Sequence, residues 1–432
     1  MKRYFLSGFA LLWLGVVVIV LTQVGRAYSV LTHEQVIDVL WEDRLQPMIK
    51  ARFPDLTDVQ LKEAHAYAYG GSLVQDMGYY PFGSRYFSDL THYVRTGDFV
   101  LALINESQNA DEYAFALGAL AHYAADNDGH PMVNHVVAME FPSLKKKYGD
   151  IVTYADSPKA HIRAEFGFDM TEVAKNHYTS DRFHDFVGFE ISSDLLERVF
   201  PKIYGMDFAD VVRDEDLAIG TFRRSVGTVI PEMTRVALLN RKKEIVADTP
   251  SAAHRKYLYY LSRTDYEQQW GREYRHPGVG SRFLAFVLKI LPKRGPFSAL
   301  NFKIPTPPAE DLFVKSIDKT VESYRTLLHD SAEGRLQLAN KDCDTGSETS
   351  AGEYPLTDKT YARLLNDLAD NRFDKASPEL RANILDFYAN PGAPQVTKKK
   401  PKDWKKVQKN LDALKQVANV AQAPSNVSRL DN

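Results

Sequence analysis

The chain has 432 residues, of which 44% are hydrophobic and 25% are charged. This composition is typical of a globular protein that buries a substantial core, and the length suits one large domain or two ordinary ones. The formal net charge of −2 argues against an overall basic field for nucleic acid or an anionic membrane, although it does not exclude a local basic patch.

The N-terminal segment has the pattern of a secretory signal. A short basic stretch, Met1–Arg3, is followed by an apolar run from Phe5 to Leu21 and then by the small residues Gly25 and Ala27. We expect residues 1–27 to be a signal peptide cleaved after Ala27. An uncleaved N-terminal anchor is the alternative, because the apolar run is near the lower limit for a membrane span.

Cys343 is the only cysteine of the chain. A disulfide within one chain is therefore impossible, and an exported chain of this length needs none because its core is large enough. We expect the protein to be exported, to the periplasm or outside the cell.

Helix-start signals recur along the chain, whereas alternating strand patterns between tight turns are scarce. We therefore predict an all-α, multi-helix bundle. Four helix starts are predicted. Two have capping-box patterns, at Thr32 with Gln35 and at Thr57 with Gln60. The other two have an N-cap followed by a first-turn proline, at Ser157–Pro158 and Ser377–Pro378.

Composition divides the chain after the N-terminal segment into three parts. Residues 28–246 are predicted to form a helical domain that carries most of the histidines, and residues 247–394 a helical C-terminal region. Within that region the stretch "ANKDCDTGSETSAGEYP" (339–355) is predicted to be a polar loop. Residues 395–432 form a lysine-rich tail, predicted to be a solvated helix with a frayed end.

Two histidine–carboxylate pairs are the strongest sign of chemistry. His122 and Asp126 in "HYAAD", and His161 and Glu165 in "HIRAE", are each four residues apart and so share one face of a helix. Imidazole nitrogens and carboxylate oxygens both bind zinc. One such pair is usually a surface ion pair, but two pairs in apolar helices would be costly to bury without a partner.

Further candidates flank these pairs. His33 follows the presumed cleavage site, Asp76 lies in the glycine- and aromatic-rich "GGSLVQDMGYYPFG", and His92 follows it. From the residues alone, each has a structural alternative. His33 could be an ordinary first-turn histidine, Asp76 a turn cap, and His92 a core histidine.

In their order, these residues resemble the zinc-dependent phospholipase C family, whose fold also serves single-strand-specific zinc nucleases. The resemblance covers residues 28–168 as a motif and extends to 246 as a fold. It implies a helical protein with three zinc ions. The implied ligands are the Tyr28 amine after cleavage, His33, Asp76, His92, the HxxxD pair His122 and Asp126, a histidine near a proline (His130), and the HxxxE pair His161 and Glu165.

The histidine near the proline departs from the family pattern, because "HPMVNH" offers His130 or His135. We favour His130, since Gly129 and Pro131 would fix a tight loop there, and hold His135 as a spare or supporting group. The region after residue 246 has no counterpart in the resemblance and could shape substrate access.

The ligands could be divided among three metals. Asp76, His92, His122 and Asp126 could hold one zinc. His130, His161 and Glu165 could hold a second, and Tyr28, His33 and a bridging Asp126 a third. Clustered zinc lowers the pKa of a bound water towards ~7 and neutralises charge on a phosphodiester. The resemblance implies that Asp76 orients or deprotonates that water.

We therefore expect a phospholipase C-like zinc hydrolase that cleaves phospholipid or related phosphate esters. The alternatives are a single-strand nuclease of the same fold, which the near-neutral charge disfavours, and a non-enzymatic zinc-binding envelope protein. A peripheral membrane contact could come from the lysine-rich tail or from "RFLAFVLKILPKRG" (282–295), although a solvated face and a buried helix are the favoured interpretations. No protein partner is inferred.

Overall fold

The computed structural model describes residues 30–175, 177–178, 188–230, 234, 244–245 and 302–422. In these ranges the backbone is helical with no β-strand, which confirms the predicted all-α fold; the one bridge described joins Lys341 to Glu348. The predicted signal segment, Tyr28 and the apolar segment 282–295 lie outside the described residues. Within the described ranges, none of the helices combines the length and apolar character needed to cross a bilayer.

The helices fall into an N-terminal and a C-terminal series. The N-terminal series is α1 Val30–Leu40, α2 Gln46–Arg52, α3 Asp58–Leu73, α4 Arg85–Tyr93, α5 Thr96–Glu106, α6 Ala110–Glu140, α7 Pro142–Tyr148, α8 Pro158–Ala174, α9 Ser193–Tyr204, α10 Phe208–Val211 and α11 Glu215–Arg224, with a 3-10 turn at Val74–Tyr79. The C-terminal series is α12 Pro307–Ala332, α13 Pro355–Asp370, α14 Pro378–Phe387 and α15 Pro401–Gln422.

Three of the four predicted helix starts are confirmed. Thr57 caps α3 in a full capping box, Ser377 accepts a hydrogen bond from Leu380 N at the start of α14, and Ser157 precedes Pro158 at the start of α8. The start predicted at Thr32 is wrong, because Thr32 lies inside α1, which is described from Val30.

A carboxylate distant in sequence replaces the local cap at the start of α1. Asp169 on α8 accepts hydrogen bonds from Leu31 N at 3.2 Å and from the Thr32 hydroxyl at 3.1 Å. Asp169 thus accepts hydrogen bonds at the N-terminal end of the described part of α1. The contact ties the beginning of α1 to α8.

The long helix α6 is the central element, and α3 and α12 pack along it. Two glycines let α3 and α6 approach closely. A Cβ at Gly71 would lie 1.9 Å from Phe115 O, and a Cβ at Gly118 would lie 2.1 Å from Ala68 O. Because neither position has room for a side chain, the two backbones are in direct contact. This contact fixes the position of α6 along the axis of α3.

The tight loop predicted at Gly129 and Pro131 is wrong. Helix α6 continues to Glu140 with Pro131 in its interior, although an interior proline costs about 3 kcal/mol because it removes a backbone hydrogen bond. The helix continues because its inner face is buried along its length, including His130. Tertiary burial therefore outweighs the local helix-breaking signal.

The C-terminal helices join the same core as the N-terminal ones. Buried side chains of α6, α12 and α13 belong to one continuous hydrophobic cluster. Phe313 of α12 stacks on Phe168 of α8 with ring centroids 4.2 Å apart, and the Tyr324 hydroxyl donates to Leu117 O at 2.8 Å. The predicted tail contains the helix α15, but this helix packs one face on α13 and α14 rather than being solvated all round.

Candidate metal centre

Histidines and aspartates from four elements meet at one buried point beside the α3–α6 crossing. None of these side chains belongs to a residue that is more than 5% exposed. The contributing elements are α1 with His33, the Val74–Tyr79 turn with Asp76, α4 with His92, and α6 with His122, Asp126 and His130.

The distances within this cluster are short enough for its side chains to bind the same metal ion. Asp126 Oδ2 lies 3.1 Å from His122 Nε2 and 3.4 Å from His92 Nε2, and its Oδ1 lies 3.6 Å from His33 Nε2. Asp76 Oδ1 lies 3.4 Å from His92 Nε2. Two trios have ligand atoms that all lie within 4.8 Å of one another: His33, Asp76 and His122, and His92, His122 and Asp126.

Backbone carbonyls orient two of the imidazoles for metal binding. His92 Nδ1 donates to Ser88 O at 2.7 Å, and His122 Nδ1 donates to Ser72 O at 2.9 Å. With the proton held on Nδ1, each neutral ring presents the lone pair of Nε2 to the cluster. Ser72 lies in α3 beside the glycine contact, so helix packing sets the position of the His122 ring.

His33 is held by α1 and by stacking. Its ring lies parallel to that of His122, with centroids 4.6 Å apart and an interplanar angle of 8°. Burial and the neighbouring His122 lower the pKa of His33 well below its usual value. The ring is therefore neutral at physiological pH, which is the form that binds a metal.

The cluster attracts positive charge. Burial disfavours the imidazolium form of His92, but Asp126 and Asp76 outweigh it and raise the pKa of His92 to about 10. Burial opposes charge on His130 as well, yet Asp126 helps to raise its pKa to about 9. Burial acts against the charged form of Asp126, and His122 and His130 nevertheless hold its pKa well below the usual range. Without a metal, protons supply this positive charge.

The residues present fit a bound cation. Among the described residues, no hydrogen-bond donor satisfies Asp76 Oδ1, either side-chain oxygen of Asp126, or His130 Nε2. A buried carboxylate oxygen without a donor is costly, and a metal ion would satisfy all of these atoms. Mixed nitrogen and oxygen ligands are those of zinc sites.

The second predicted pair lies on α8. His161 Nδ1 is 3.3 Å from Glu165 Oε1, and His161 Nε2 donates to Val152 O at 2.7 Å, which leaves the Nδ1 lone pair facing the carboxylate. Both side chains are buried, and burial raises the pKa of Glu165. His130, His161 and Glu165 do not form a further trio within the distance that defines the other two, so the structure brings this pair near the cluster rather than into it.

Of the two histidines near the proline, His130 points inward and His135 outward. His130 is 1% exposed, whereas His135 is an exposed residue whose Nδ1 donates to Asp150 O at 2.9 Å. The preference for His130 thus agrees with its position, although the tight loop that motivated it is absent.

Asp344 is a neighbour of the centre that the sequence did not indicate. Its Oδ1 lies 3.1 Å from His130 Nδ1, and the carboxylate is fully buried. It comes from the predicted polar loop, in which Asp342 and Cys343 are also buried. The acidic residues around a buried cysteine in "DCD" were the available signal, but no helical spacing links them to the histidines.

A second buried histidine cluster is complete without a metal. His65 Nε2 lies 3.0 Å from Asp38 Oδ1, and its ring stacks on Trp41 at 3.8 Å. The same carboxylate accepts hydrogen bonds from the hydroxyls of Tyr69 at 2.5 Å and Tyr178 at 2.6 Å. Because both oxygens have donors, this cluster is structural.

The fold and the site define a class: an all-helical protein with a buried histidine–aspartate cluster suited to metal ions. The family model of zinc-dependent phospholipase C matches residues 32–210, and through this part the chain is similar to that family. The match spans the cluster from His33 to Glu165 and supports zinc as its metal. It ends before the C-terminal region that contains Asp344. Searches of curated proteins and of solved structures found no significant match.

Proposed function

We propose that this protein is an exported zinc-dependent phosphodiester hydrolase that acts, like a phospholipase C, on phospholipids or related phosphate esters. The observation that carries the proposal is that five buried histidine and aspartate side chains converge on one point, in two overlapping trios whose ligand atoms all lie within 4.8 Å of one another. Zinc bound there would lower the pKa of a water molecule and neutralise charge on a phosphodiester.

The ligands would serve three zinc ions. His92, His122, Asp126 and Asp76 surround one position, where their nitrogens and oxygens converge. His33 approaches Asp126 from the other side and, with the Tyr28 amine, would hold another. The third would be held by His130, His161 and Glu165, whose ligand atoms would have to draw closer as it binds.

Asp76 is the proposed catalytic base. Its side chain is 7% exposed, whereas those of His33, His92 and Asp126 are fully buried, so Asp76 lies at the more open side of the cluster. Its carboxylate would orient the attacking water and accept its proton. His92 Nε2 lies 3.4 Å from Asp76 Oδ1, which is close enough for the two groups to face the same ion.

Phospholipid is the preferred substrate class, because the net charge of −2 does not favour a strand of nucleic acid. The outer face of α15 supports a peripheral contact with anionic lipid. Lys402, Lys405 and Lys409 are exposed on this helix, while Val407 and Leu414 pack inward. Lipid substrates would thereby be brought to the protein.

The test begins with hydrolysis of a chromogenic phosphodiester by protein purified from its exported location, with zinc counted per chain by elemental mass spectrometry. Asp126→Asn should lose zinc and activity together, whereas His135→Ala, which alters an exposed histidine, should keep both. Bound zinc without hydrolysis would instead identify a non-enzymatic zinc-binding protein.

Substrate class is tested next on the active protein. Phosphatidylcholine vesicles and single-stranded DNA are compared at equal phosphodiester concentration. Faster cleavage of the lipid supports the proposal, and faster cleavage of DNA would identify a nuclease of the same fold. N-terminal sequencing of the exported protein should read Tyr28 first, which would show that the amine is available as a ligand.

A further inference from the structure

The loop of residues 341–355 reaches the metal centre from the C-terminal region. Its Asp344 places Oδ1 3.1 Å from His130 Nδ1, and both side chains are buried. Because an ionised carboxylate repels a facing lone pair and attracts an N–H group, this close contact favours the tautomer with its proton on Nδ1. His130 Nε2, which no hydrogen-bond donor satisfies among the described residues, is then left with its lone pair for a metal.

His130 differs in this respect from His122 on α6 and from His92 on α4. His92 and His122 are oriented by carbonyl oxygens of Ser88 and Ser72, which belong to the N-terminal helices. His130 relies instead on a carboxylate supplied from outside the part of the chain that matches the family model. A carboxylate on the far nitrogen of a metal-binding histidine fixes the ring and raises its basicity.

The Asp344 carboxylate is itself fixed in place. Its Oδ2 accepts hydrogen bonds from the hydroxyls of Tyr93 at 2.7 Å and Tyr354 at 2.5 Å. The Tyr354 hydroxyl in turn accepts from Ala155 N at 3.1 Å. Rotation of the carboxylate would break both tyrosine hydrogen bonds on Oδ2 and separate Oδ1 from His130.

Backbone contacts hold the loop against α6 and α4. Cys343 N donates to His92 O at 3.1 Å, and the Asn134 side chain donates to Asp344 O at 3.0 Å. Gly346 has a φ of +71°, and a Cβ there would lie 2.5 Å from Asn127 O. Asn127 O is the carbonyl that loses its helical donor to the proline in α6, so the loop packs where the proline interrupts the hydrogen-bond ladder.

We infer that Asp344 is a positioning residue for His130, and that the loop of residues 341–355 is thereby an integral part of the zinc centre. The inference rests on the proposed function in that it takes zinc to bind at this cluster. It gives the C-terminal region a defined task, which is to hold one ligand in the tautomer and orientation that bind metal.

The test compares Asp344→Asn with Asp128→Asn in the full exported chain. Asp128→Asn is the same type of substitution, two residues from His130 on α6. The Asp128 carboxylate, however, pairs with Lys319. Zinc affinity is measured by competition with a chromophoric chelator, and unfolding is followed in excess chelator. Asp344→Asn should weaken zinc binding about 10–100-fold, the range seen when such supporting groups are removed. Its metal-free stability should stay close to that of Asp128→Asn.

A spectroscopic measurement distinguishes a positioning role of Asp344 from a purely structural role. The visible absorption of the cobalt-substituted protein reports ligand geometry, and it should change in Asp344→Asn but not in Asp128→Asn. Unchanged zinc affinity and an unchanged cobalt spectrum would overturn the inference. If Asp344→Asn fails to fold, Tyr354→Phe decides, since it keeps the carboxylate and removes one of its donors. Weaker zinc binding by that variant supports the inference, and wild-type affinity overturns it.

The proposed function can fail separately from this inference. A wild-type protein that binds zinc but hydrolyses no phosphodiester would refute the enzymatic proposal alone, because zinc affinity and the cobalt spectrum still judge Asp344. A wild-type protein that binds no zinc would refute both.

Discussion

His92 Nε2 lies 3.3 Å from His122 Nε2, and the Nδ1–H group of each ring donates a hydrogen bond to a backbone carbonyl oxygen. Two imidazole lone pairs that face each other repel unless a proton or a metal ion lies between them. Asp126 Oδ2 is within 3.4 Å of both nitrogens and adds negative charge at the same point. The geometry therefore favours a cation at this position.

His122 belongs to both trios, so its loss removes a nitrogen ligand from the centre of the cluster. His122→Ala is expected to lower the zinc content per chain and to reduce phosphodiester hydrolysis by at least about 100-fold, the upper range for loss of a merely supporting group. Elemental analysis and initial rates on one preparation measure both effects. His135→Ala serves as the matched control, and wild-type zinc content in His122→Ala would contradict the assignment.

Removal of the metal should destabilise the whole domain. Each zinc present at 100 times its dissociation constant stabilises the folded state by about 2.7 kcal/mol. Dialysis against a chelator should therefore lower the midpoint of thermal unfolding, and added zinc should restore it while magnesium, which prefers oxygen ligands, should not. An unchanged midpoint after verified metal removal would show that protons alone satisfy the buried carboxylates.

The close contact of α3 and α6 should be intolerant of a single methyl group. In Gly118→Ala the new Cβ would lie 2.1 Å from Ala68 O, so the helices must separate. We expect a loss of about 1–3 kcal/mol in the free energy of unfolding, as for other overpacked sites. Zinc affinity should fall as well, since His122 is oriented by Ser72 of the opposite helix.

The control for that prediction is another helical glycine. Gly220 lies in α11, and a Cβ there meets no atom within 4 Å. Gly220→Ala should leave zinc binding unchanged and stabilise the protein by roughly 0.5–1 kcal/mol, since alanine is the better helix former. Equal effects of the two substitutions would show that the α3–α6 contact is not critical.

Asp169 should support zinc binding from a distance. It anchors the first turn of α1, on which His33 stands, through Leu31 N and the Thr32 hydroxyl. Asp169→Asn should cost about 1.5–3 kcal/mol, the range for hydrogen bonds to a charged group, and weaken zinc binding. Thr57→Ala, which removes the cap of α3, should cost about 0.5–2 kcal/mol and leave zinc affinity unchanged. Chemical denaturation and chelator competition on both variants check this contrast.

The local part of the site could be predicted from the sequence because it depends on one helix at a time. The spacing of His122 with Asp126, and of His161 with Glu165, places each pair on one helix face whatever the rest of the fold does. His33, Asp76 and His92 come from separate elements, so only their order along the chain indicated that they meet. For these three residues, the prediction of a shared site therefore rested on that order.

The failures have a common physical origin in long-range contacts. The start of α1 is satisfied by Asp169 rather than by the local capping box that Thr32 suggested. Helix α6 passes through Pro131 because buried packing outweighs one missing hydrogen bond. Asp344 reaches His130 from a loop more than two hundred positions away, and no local pattern encodes such a contact.

The position of Asp344 has a consequence for the order in which the protein matures. The hydrogen bonds that fix its carboxylate join Tyr93, Ala155 and Tyr354, so they cannot form until the chain has been synthesised through Tyr354. Contacts between residues so far apart in sequence also form late in folding. In the proposed zinc centre, stable capture of metal at His130 would therefore wait until the loop of residues 341–355 has been synthesised and has packed against α6.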